Sequence, residues 1–427
     1  MKQLFIILLM TTLISVSGFN CKQDKSDNKG EQIALLALAS PKGDSCSGGT
    51  TSINGSWVAT GGTYEKNGVK SDIKVYGTFV DTYTSSSVSS IANGILEVAG
   101  SPIVQAANCT AKSNYTLGTS NLCSTVTSVS CSGLGVNVGD KINYTYSVNG
   151  DTMMQSYTKD GVSVSITYSK FTQSSLVGSW KATSGYYISL NGSRSTLSLS
   201  GNFITSYSND GIFEVDNGTI KSGSTTLLTY TNCGYYSSYT SESGYISSTL
   251  KYKVCSGDSV NYVGKTSTYS YIAETNQLLT SYSDPGSGTI ILISTKQANP
   301  FTGKWSLNSL NVSGTGNSAS YSGTFTEEFS ADNISSAYYN GSYTYVVNGN
   351  TINLTFTSCS NKSHVAYDES KLFYVTLSKA GNCNGDSSLG FGTLSAALGQ
   401  DYTVSGSLFT TSVDLGSGVI STQTLIK

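Results

Sequence analysis

The sequence predicts an all-β chain of three tandem antiparallel β domains, each a small barrel, with a β-sandwich as the alternative. Three observations predict it. A set of Trp, Cys and Lys landmarks recurs three times along the 427 residues. Apolar and polar residues alternate with period two inside each repeat. The composition is rich in Gly (45) and Tyr (29) and only 12% charged, which favours short strands and turns over helices. A prior of about 100 to 200 residues per domain independently allows two to four domains.

The landmarks fix the repeat. The three tryptophans fall in Ile53-Asn54-Gly55-Ser56-Trp57, Leu176-Val177-Gly178-Ser179-Trp180 and Phe301-Thr302-Gly303-Lys304-Trp305, 123 and 125 residues apart. Cys109, Cys233 and Cys359 follow them by 52, 53 and 54 residues, and Cys131, Cys255 and Cys383 come 22, 22 and 24 residues later. Each unit closes on an apolar strand ending at Lys170, Lys296 or Lys427. This places the domains at residues 51–172, 173–298 and 299–427.

Within the first unit, Ile142, Tyr144, Tyr146 and Val148, then Val162, Val164, Ile166 and Tyr168, alternate with polar residues as half-buried antiparallel strands require. Ile352, Leu354 and Phe356 do the same in the third. Asn149-Gly150, Asp160-Gly161, Asp210-Gly211, Asn217-Gly218 and Asn348-Gly349 read as turns between such runs. A unit of this length holds roughly eight to ten strands of ordinary length. Glu97 and Glu214 match in Gly94-Ile95-Leu96-Glu97-Val98 and Gly211-Ile212-Phe213-Glu214-Val215, while the third unit has Tyr343-Thr344-Tyr345 there; solvent-facing strand positions are expected for both.

The Gly-x-Trp that opens each unit, with Ala59, Ala182 or Leu307 two residues beyond the Trp, resembles the start of lipocalin-like domains. The resemblance implies an eight-stranded barrel whose end is plugged by Trp57, Trp180 or Trp305. It further implies that a basic side chain near the end of the last strand packs over that ring. Lys170, Lys296 and Lys427 take the place of the family's usual Arg, and a cation–π or stem contact of about 0.5 to 2 kcal/mol is expected. No ligand-contact motif is shared by the family, so no calyx residue carries over.

Eight cysteines after Cys21 allow 105 pairings, which the repeat reduces to one economical scheme. It joins Cys109 with Cys131, Cys233 with Cys255, and Cys359 with Cys383. Cys46 and Cys123 occur only in the first unit and are expected to pair. Disulfides require export. Residues 1–20 read as a signal peptide, with Lys2 before the apolar run Leu4 to Val16. Gly18-Phe19-Asn20-Cys21 resembles a relaxed lipobox of the kind found in spirochaetal lipoproteins, which implies lipidation at Cys21; a secreted protein in which Cys21 is an ordinary thiol is the alternative. Residues 21–50 then form a polar tether interrupted by the apolar run Ile33 to Ala39, seven residues and too short to span a bilayer.

Chemistry is sparse. The formal charge of −2 with dispersed ions makes no basic stripe, so nucleic acid is not an expected partner. His364 is the single His, which leaves Ser or Cys triads without a base, and it reads as a solvated loop residue. No Cys-x-x-Cys pair or calcium loop marks a metal site. Gly264-Lys265-Thr266 lacks the earlier glycine of a phosphate loop, Ser259 standing in its place. Glu97, Glu214 and Glu327 with Glu328 show no spacing that nominates a catalytic pair.

No catalytic residue, metal or cofactor is therefore expected. The reading is a non-catalytic, lipid-anchored outer-membrane protein, on the periplasmic or the cell-surface face, whose β modules bind a protein or glycan partner. The alternative is a carrier holding a lipophilic small molecule in each barrel. Because recurring residues serve the fold, function is assigned to what differs between units. These are the loop around Cys123, the Tyr235-Tyr236 to Tyr245 segment and the His364 region, each lying between the paired cysteines of its unit.

Overall fold

A computed structural model describes Cys46, Gly49 and residues 52–130, 136–159, 161–242, 244–255, 263–284, 286–382, 399–414 and 419–427. The signal peptide, Cys21, most of the tether, Asp160, Cys131 and Cys383 lie outside the described residues.

Alternation of inward and outward side chains builds three closed antiparallel barrels of eight strands each, and no helix occurs among the described residues. The first comprises β1 (Gly55–Lys66), β2 (Val69–Tyr83), β3 (Ser87–Val98), β4 (Ser101–Leu117), β5 (Asn121–Val129), β6 (Lys141–Asn149), β7 (Thr152–Lys159) and β8 (Val162–Phe171). The second comprises β9 (Gly178–Ile188), β10 (Arg194–Tyr207), β11 (Ile212–Ser222), β12 (Thr225–Glu242), β13 (Tyr245–Val254), β14 (Thr266–Ala273), β15 (Gln277–Asp284) and β16 (Gly288–Gln297). The third comprises β17 (Gly303–Val312), β18 (Ser318–Phe329), β19 (Ile334–Val347), β20 (Asn350–Tyr367), β21 (Lys371–Asn382), β22 (Gln400–Ser405), β23 (Leu408–Asp414) and β24 (Ile420–Ile426). First and last strands pair in each, which removes the sheet edges. The sandwich alternative is thereby set aside.

Turn chemistry agrees with this at the hairpin tips. Asn67-Gly68 and Asn348-Gly349 both have two positive-φ residues between paired strands, as a two-residue type I′ turn requires. Asn217-Gly218 is not a turn. It lies inside β11, where Gly218 faces Gly201 across β10. Gly94 faces Gly77 and Gly341 faces Gly323 in the same way. A Cβ on any of these glycines would run into a carbonyl of the facing strand, so the two backbones touch in all three barrels.

The adjoining Asn serves the next strand. The third and fourth strands slip register at this level, and Asn108, Asn232 and Ser358 absorb the bulge with φ of 49, 48 and 47°. Their N–H groups donate to Oδ1 of Asn93, Asn217 and Asn340 at 3.4, 3.3 and 3.3 Å. Each bulge immediately precedes the first cysteine of its unit.

The barrels dock on one another through buried strand faces. Between the first and second, Ile95, Ile188 and Ile291 are all 0% exposed and pack together. Thr78 Oγ1 and Ser281 Oγ lie 3.1 Å apart, and Asn93 Nδ2 donates to Ser281 O at 2.7 Å. Between the second and third, Ile204, Phe213 and Val215 pack on Ala366, Phe373 and Val375. Ser206 Oγ donates to Val365 O at 2.6 Å, and Asn333 Nδ2 donates to Ser206 Oγ at 2.8 Å. Stretches such as Ile91–Val98 of β3 are thus buried on both faces, without the alternation of a half-exposed strand.

Candidate functional site

The tryptophans close one end of each interior. Trp57, Trp180 and Trp305 are 1, 0 and 0% exposed. Their Nε1–H groups donate to the carbonyls of Ile53, Leu176 and Phe301 at 2.8, 2.7 and 2.6 Å, the same i−4 bond in all three copies. Lys170, Lys296 and Lys427 Nζ stand 5.9, 5.1 and 4.9 Å from the ring centroids. The Gly of Gly-x-Trp makes room for this lysine: a Cβ on Gly178 would meet Lys296 Cε at 2.6 Å, and on Gly303 Lys427 Cε at 3.0 Å.

Below the plug each barrel turns a carboxyl group away from bulk water, towards its interior. The inward alternation Phe79-Asp81-Tyr83 corresponds to Phe203-Thr205-Tyr207 and Phe325-Glu327-Phe329, and Asp81, Thr205 and Glu327 all pair across the sheet with the plug Trp. In the first barrel Asp81 faces Ser90 across the sheet; in the second the pair is inverted, Thr205 facing Glu214. Burial raises the Asp81 carboxyl, opposed by hydrogen bonds from Ser90 and Tyr168. Burial likewise pushes Glu327 up to about 7, opposed by Ser335 and Tyr374. Glu214 is pushed up to about 7 by burial alone, and Asp216, two residues on along the same inner face, is driven well above the usual range by burial and by Glu214.

The space around these groups is small. A cavity of about 100 Å³ in the first barrel is lined by Asp81, Ser90, Gln155 and Tyr168 together with further serine, tyrosine and apolar side chains. One of about 100 Å³ in the second is lined by Glu214, Asp216, the hydroxyls of Thr205, Ser248, Ser267, Thr280 and Ser294, and a ring of aromatic and aliphatic residues. In the third, Phe325, Tyr343 and Phe356 occupy the interior, the first two stacked with centroids 4.3 Å apart. Outside that barrel, a groove of about 530 Å³ runs past Lys304, Glu328, Tyr338, Asn361 and Lys362.

Several sequence expectations are corrected here. Glu97 and Glu214 are not equivalent, because Gly94 corresponds to Gly218 and not to Gly211. Neither faces bulk solvent: Glu97 is 6% exposed and pairs with Arg194 across the first joint, and Glu214 points into a barrel. His364 is not a loop residue but lies on β20, 0% exposed in the second joint. Its Nε2 and Nδ1 lie 3.2 and 3.4 Å from Ser206 Oγ and Ser208 Oγ, and burial lowers its pKa to about 3. Tyr236 packs against it, ring centroids 6.0 Å apart. The segments between the cysteines are barrel hairpins, and those of the second and third barrels are committed to each other.

Cys46 is joined to Cys123, and Cys233 to Cys255. Cys109 and Cys359 are buried and disulfide-bonded. Among the described residues no group of three or more His, Cys, Asp or Glu is placed to hold a metal ion. Of the interior carboxylates, sequence reasoning had named Glu214 and Glu327 without a role and had missed Asp81 and Asp216. The signal available was the inward alternation Phe-x-Asp-x-Tyr in register with the plug Trp.

No protein-family model and no curated protein matches the chain. Solved structures similar to it include a double mutant of the vaccine antigen transferrin binding protein B from Haemophilus parasuis Hp5, with 8% identity, TM-score 0.14 and coverage of 87% of this chain and 76% of that one. Intact Ap-TbpB, N and C lobes, gives 9%, 0.15, 88% and 77%. Isotype 1 transferrin binding protein B from serogroup B Neisseria meningitidis gives 8%, 0.13, 83% and 65%. Likeness at this level carries no inference about what this chain binds, and the conclusion that stands is architectural: three eight-stranded antiparallel barrels in tandem.

Proposed function

We propose that the chain is a non-catalytic binding protein of the bacterial outer membrane. In this reading it is held by lipid at Cys21 and contacts a protein or glycan through the outer faces of its docked barrels. The export signal and the lipobox resemblance support the anchor. The observation that carries the binding mode is the size of the interiors. Cavities of about 100 Å³ fall well below the 300 to 1,000 Å³ of ordinary ligand pockets, and aromatic rings occupy the third barrel, which disfavours a lipophilic carrier.

Contact area then has to come from outside. The groove on the third barrel presents Tyr338, 39% exposed, among Ser336, Ser360, Asn361 and the charged Lys304 and Glu328. Tyr amid small polar residues gives adaptable contacts at low entropic cost.

Fatty-acid labelling should mark the wild type and miss Cys21→Ser. A photo-crosslinking amino acid at Tyr338 should give one discrete adduct on intact cells that Lys304→Glu removes. A lipophilic molecule extracted in stoichiometric amount from the purified protein, with no adduct at Tyr338, would favour the carrier instead.

A further inference from the structure

Comparison of the three interiors singles out the second. Asp81 in the first barrel has Ser90 and Tyr168 as hydrogen-bond partners, and Glu327 in the third has Ser335 Oγ at 2.5 Å and Tyr374. Glu214 in the second has no hydrogen-bond or ionic partner among the described residues. Asp216 is 6% exposed, lines the cavity, and its Oδ2 is buried with no hydrogen-bond partner. Among the described residues no Lys, Arg or His lines that cavity. A buried carboxylate oxygen left without a donor costs free energy that two of the three barrels avoid by supplying one.

We propose that the interior of the second barrel binds a small primary aliphatic ammonium ion, held between the Glu214 and Asp216 carboxylates. Both acids lie on the inner face of β11, two residues apart, so one ammonium reaches both. The rest of the lining is suited to an organic cation. Ile220, Leu228, Ile290 and Leu292 offer an alkyl chain an apolar surface, and the rings of Phe203 and Tyr282 offer cation–π contact. The hydroxyls of Thr205, Ser248, Ser267, Thr280 and Ser294 also line the cavity and can accept the N–H groups of the ammonium that the two acids leave free. The volume sets the size: about 100 Å³ is roughly three times a water molecule's share of liquid volume, enough for three or four non-hydrogen atoms. The elevated Glu214 and Asp216 carboxyls fit a site whose counter-charge arrives with the ligand. This inference is independent of the exterior-contact reading, and either can fail without the other.

The test is calorimetric titration of the purified mature chain with n-propylammonium, n-propanol, n-hexylammonium and potassium chloride. One n-propylammonium should bind per chain, with n-propanol silent and the hexyl compound at least tenfold weaker. Glu214→Gln with Asp216→Asn should lower the affinity at least tenfold, and Asp81→Asn in the first barrel should leave it unchanged. Should the double variant not fold, thermal melts of the wild type decide: n-propylammonium must raise the midpoint and equal n-propanol must not. Absence of n-propylammonium binding, binding undiminished in the folded double variant, or equal binding of potassium overturns the proposal.

Discussion

Arg194 Nε lies 3.1 Å from Glu97 Oε2 across the first joint, and Arg194 is the only arginine in the chain. Its guanidinium also sits 3.9 Å above the Tyr76 ring and 5.3 Å from that of Tyr186, so a flat cation is clamped between two barrels. Removing it strands a carboxylate whose side chain is 8% exposed. Arg194→Met should therefore lower stability by about 3 kcal/mol, with Arg194→Lys recovering only part because an ammonium cannot stack. Urea unfolding checks this; a change under about 0.5 kcal/mol would remove the ion pair from the account of the joint.

The second joint holds the only histidine, and its protonation works against docking. His364 has a folded pKa of about 3 against an ordinary 6.5, so the unfolded chain takes up a proton that the native chain refuses between those values. Asp210 is the charged group that acts on it, and only weakly offsets burial. Stability contributed here is lost as pH falls from 6.5 towards 3, by up to about 1.4 kcal/mol per pH unit. Glu214 and Glu327 act oppositely, losing stability as pH rises from 4.5 to about 7. Comparison with His364→Gln isolates the histidine: between pH 7.5 and 4.5 the variant should gain up to about 2.7 kcal/mol on the wild type.

The glycine crossings separate steric need from turn preference. Gly218→Ala would drive a methyl into the Ser200 carbonyl at φ +150°, whereas a Cβ on Gly223, at φ +57°, meets open space. The first substitution should cost more than about 3 kcal/mol or abolish folding, and the second about 1 kcal/mol. Equal costs in thermal melts would contradict the backbone contact.

The lysine above each Trp should respond to its neighbouring glycine. Lys296→Met keeps the apolar stem and loses the cation, for an expected loss of about 0.5 to 2 kcal/mol. Gly178→Ala should cost more than Gly55→Ala, since the added methyl lies 2.6 Å from Lys296 Cε in one case and 3.6 Å from Lys170 Cε in the other. Tryptophan fluorescence during denaturation reads both, and the reverse order would refute the packing argument.

Reduction should loosen the barrels unequally. The Cys233–Cys255 bridge spans 22 residues and the Cys46–Cys123 bridge 77, so loss of chain entropy in the unfolded state predicts contributions of about 3 and about 4.5 kcal/mol. Paired Cys→Ala variants compared by urea unfolding test the order. Peptide mapping without reductant should also recover Cys109 with Cys131 and Cys359 with Cys383, and a bridge between barrels would reject the pairing.

What was legible in the sequence was whatever repeats or depends on near neighbours. Trp57, Trp180 and Trp305 at constant spacing revealed three units, period-two alternation revealed strands, and aligned cysteines revealed which could meet. Asn217-Gly218 misled because the dipeptide that makes a turn also suits a close strand crossing with a capped bulge, and only the facing glycine distinguishes them. Glu97, Glu214 and His364 misled for a different reason. A polar residue on a strand declares which face it shares with its neighbours, not whether that face meets water, a cavity or another barrel. Arg194 with Glu97 and His364 with Ser206 are brought together from 97 and 158 residues apart by the docking of closed barrels. That docking depends on the shape of whole surfaces, which no local pattern encodes, so burial of these charges and the unpartnered acids of the second barrel were decided by tertiary structure alone.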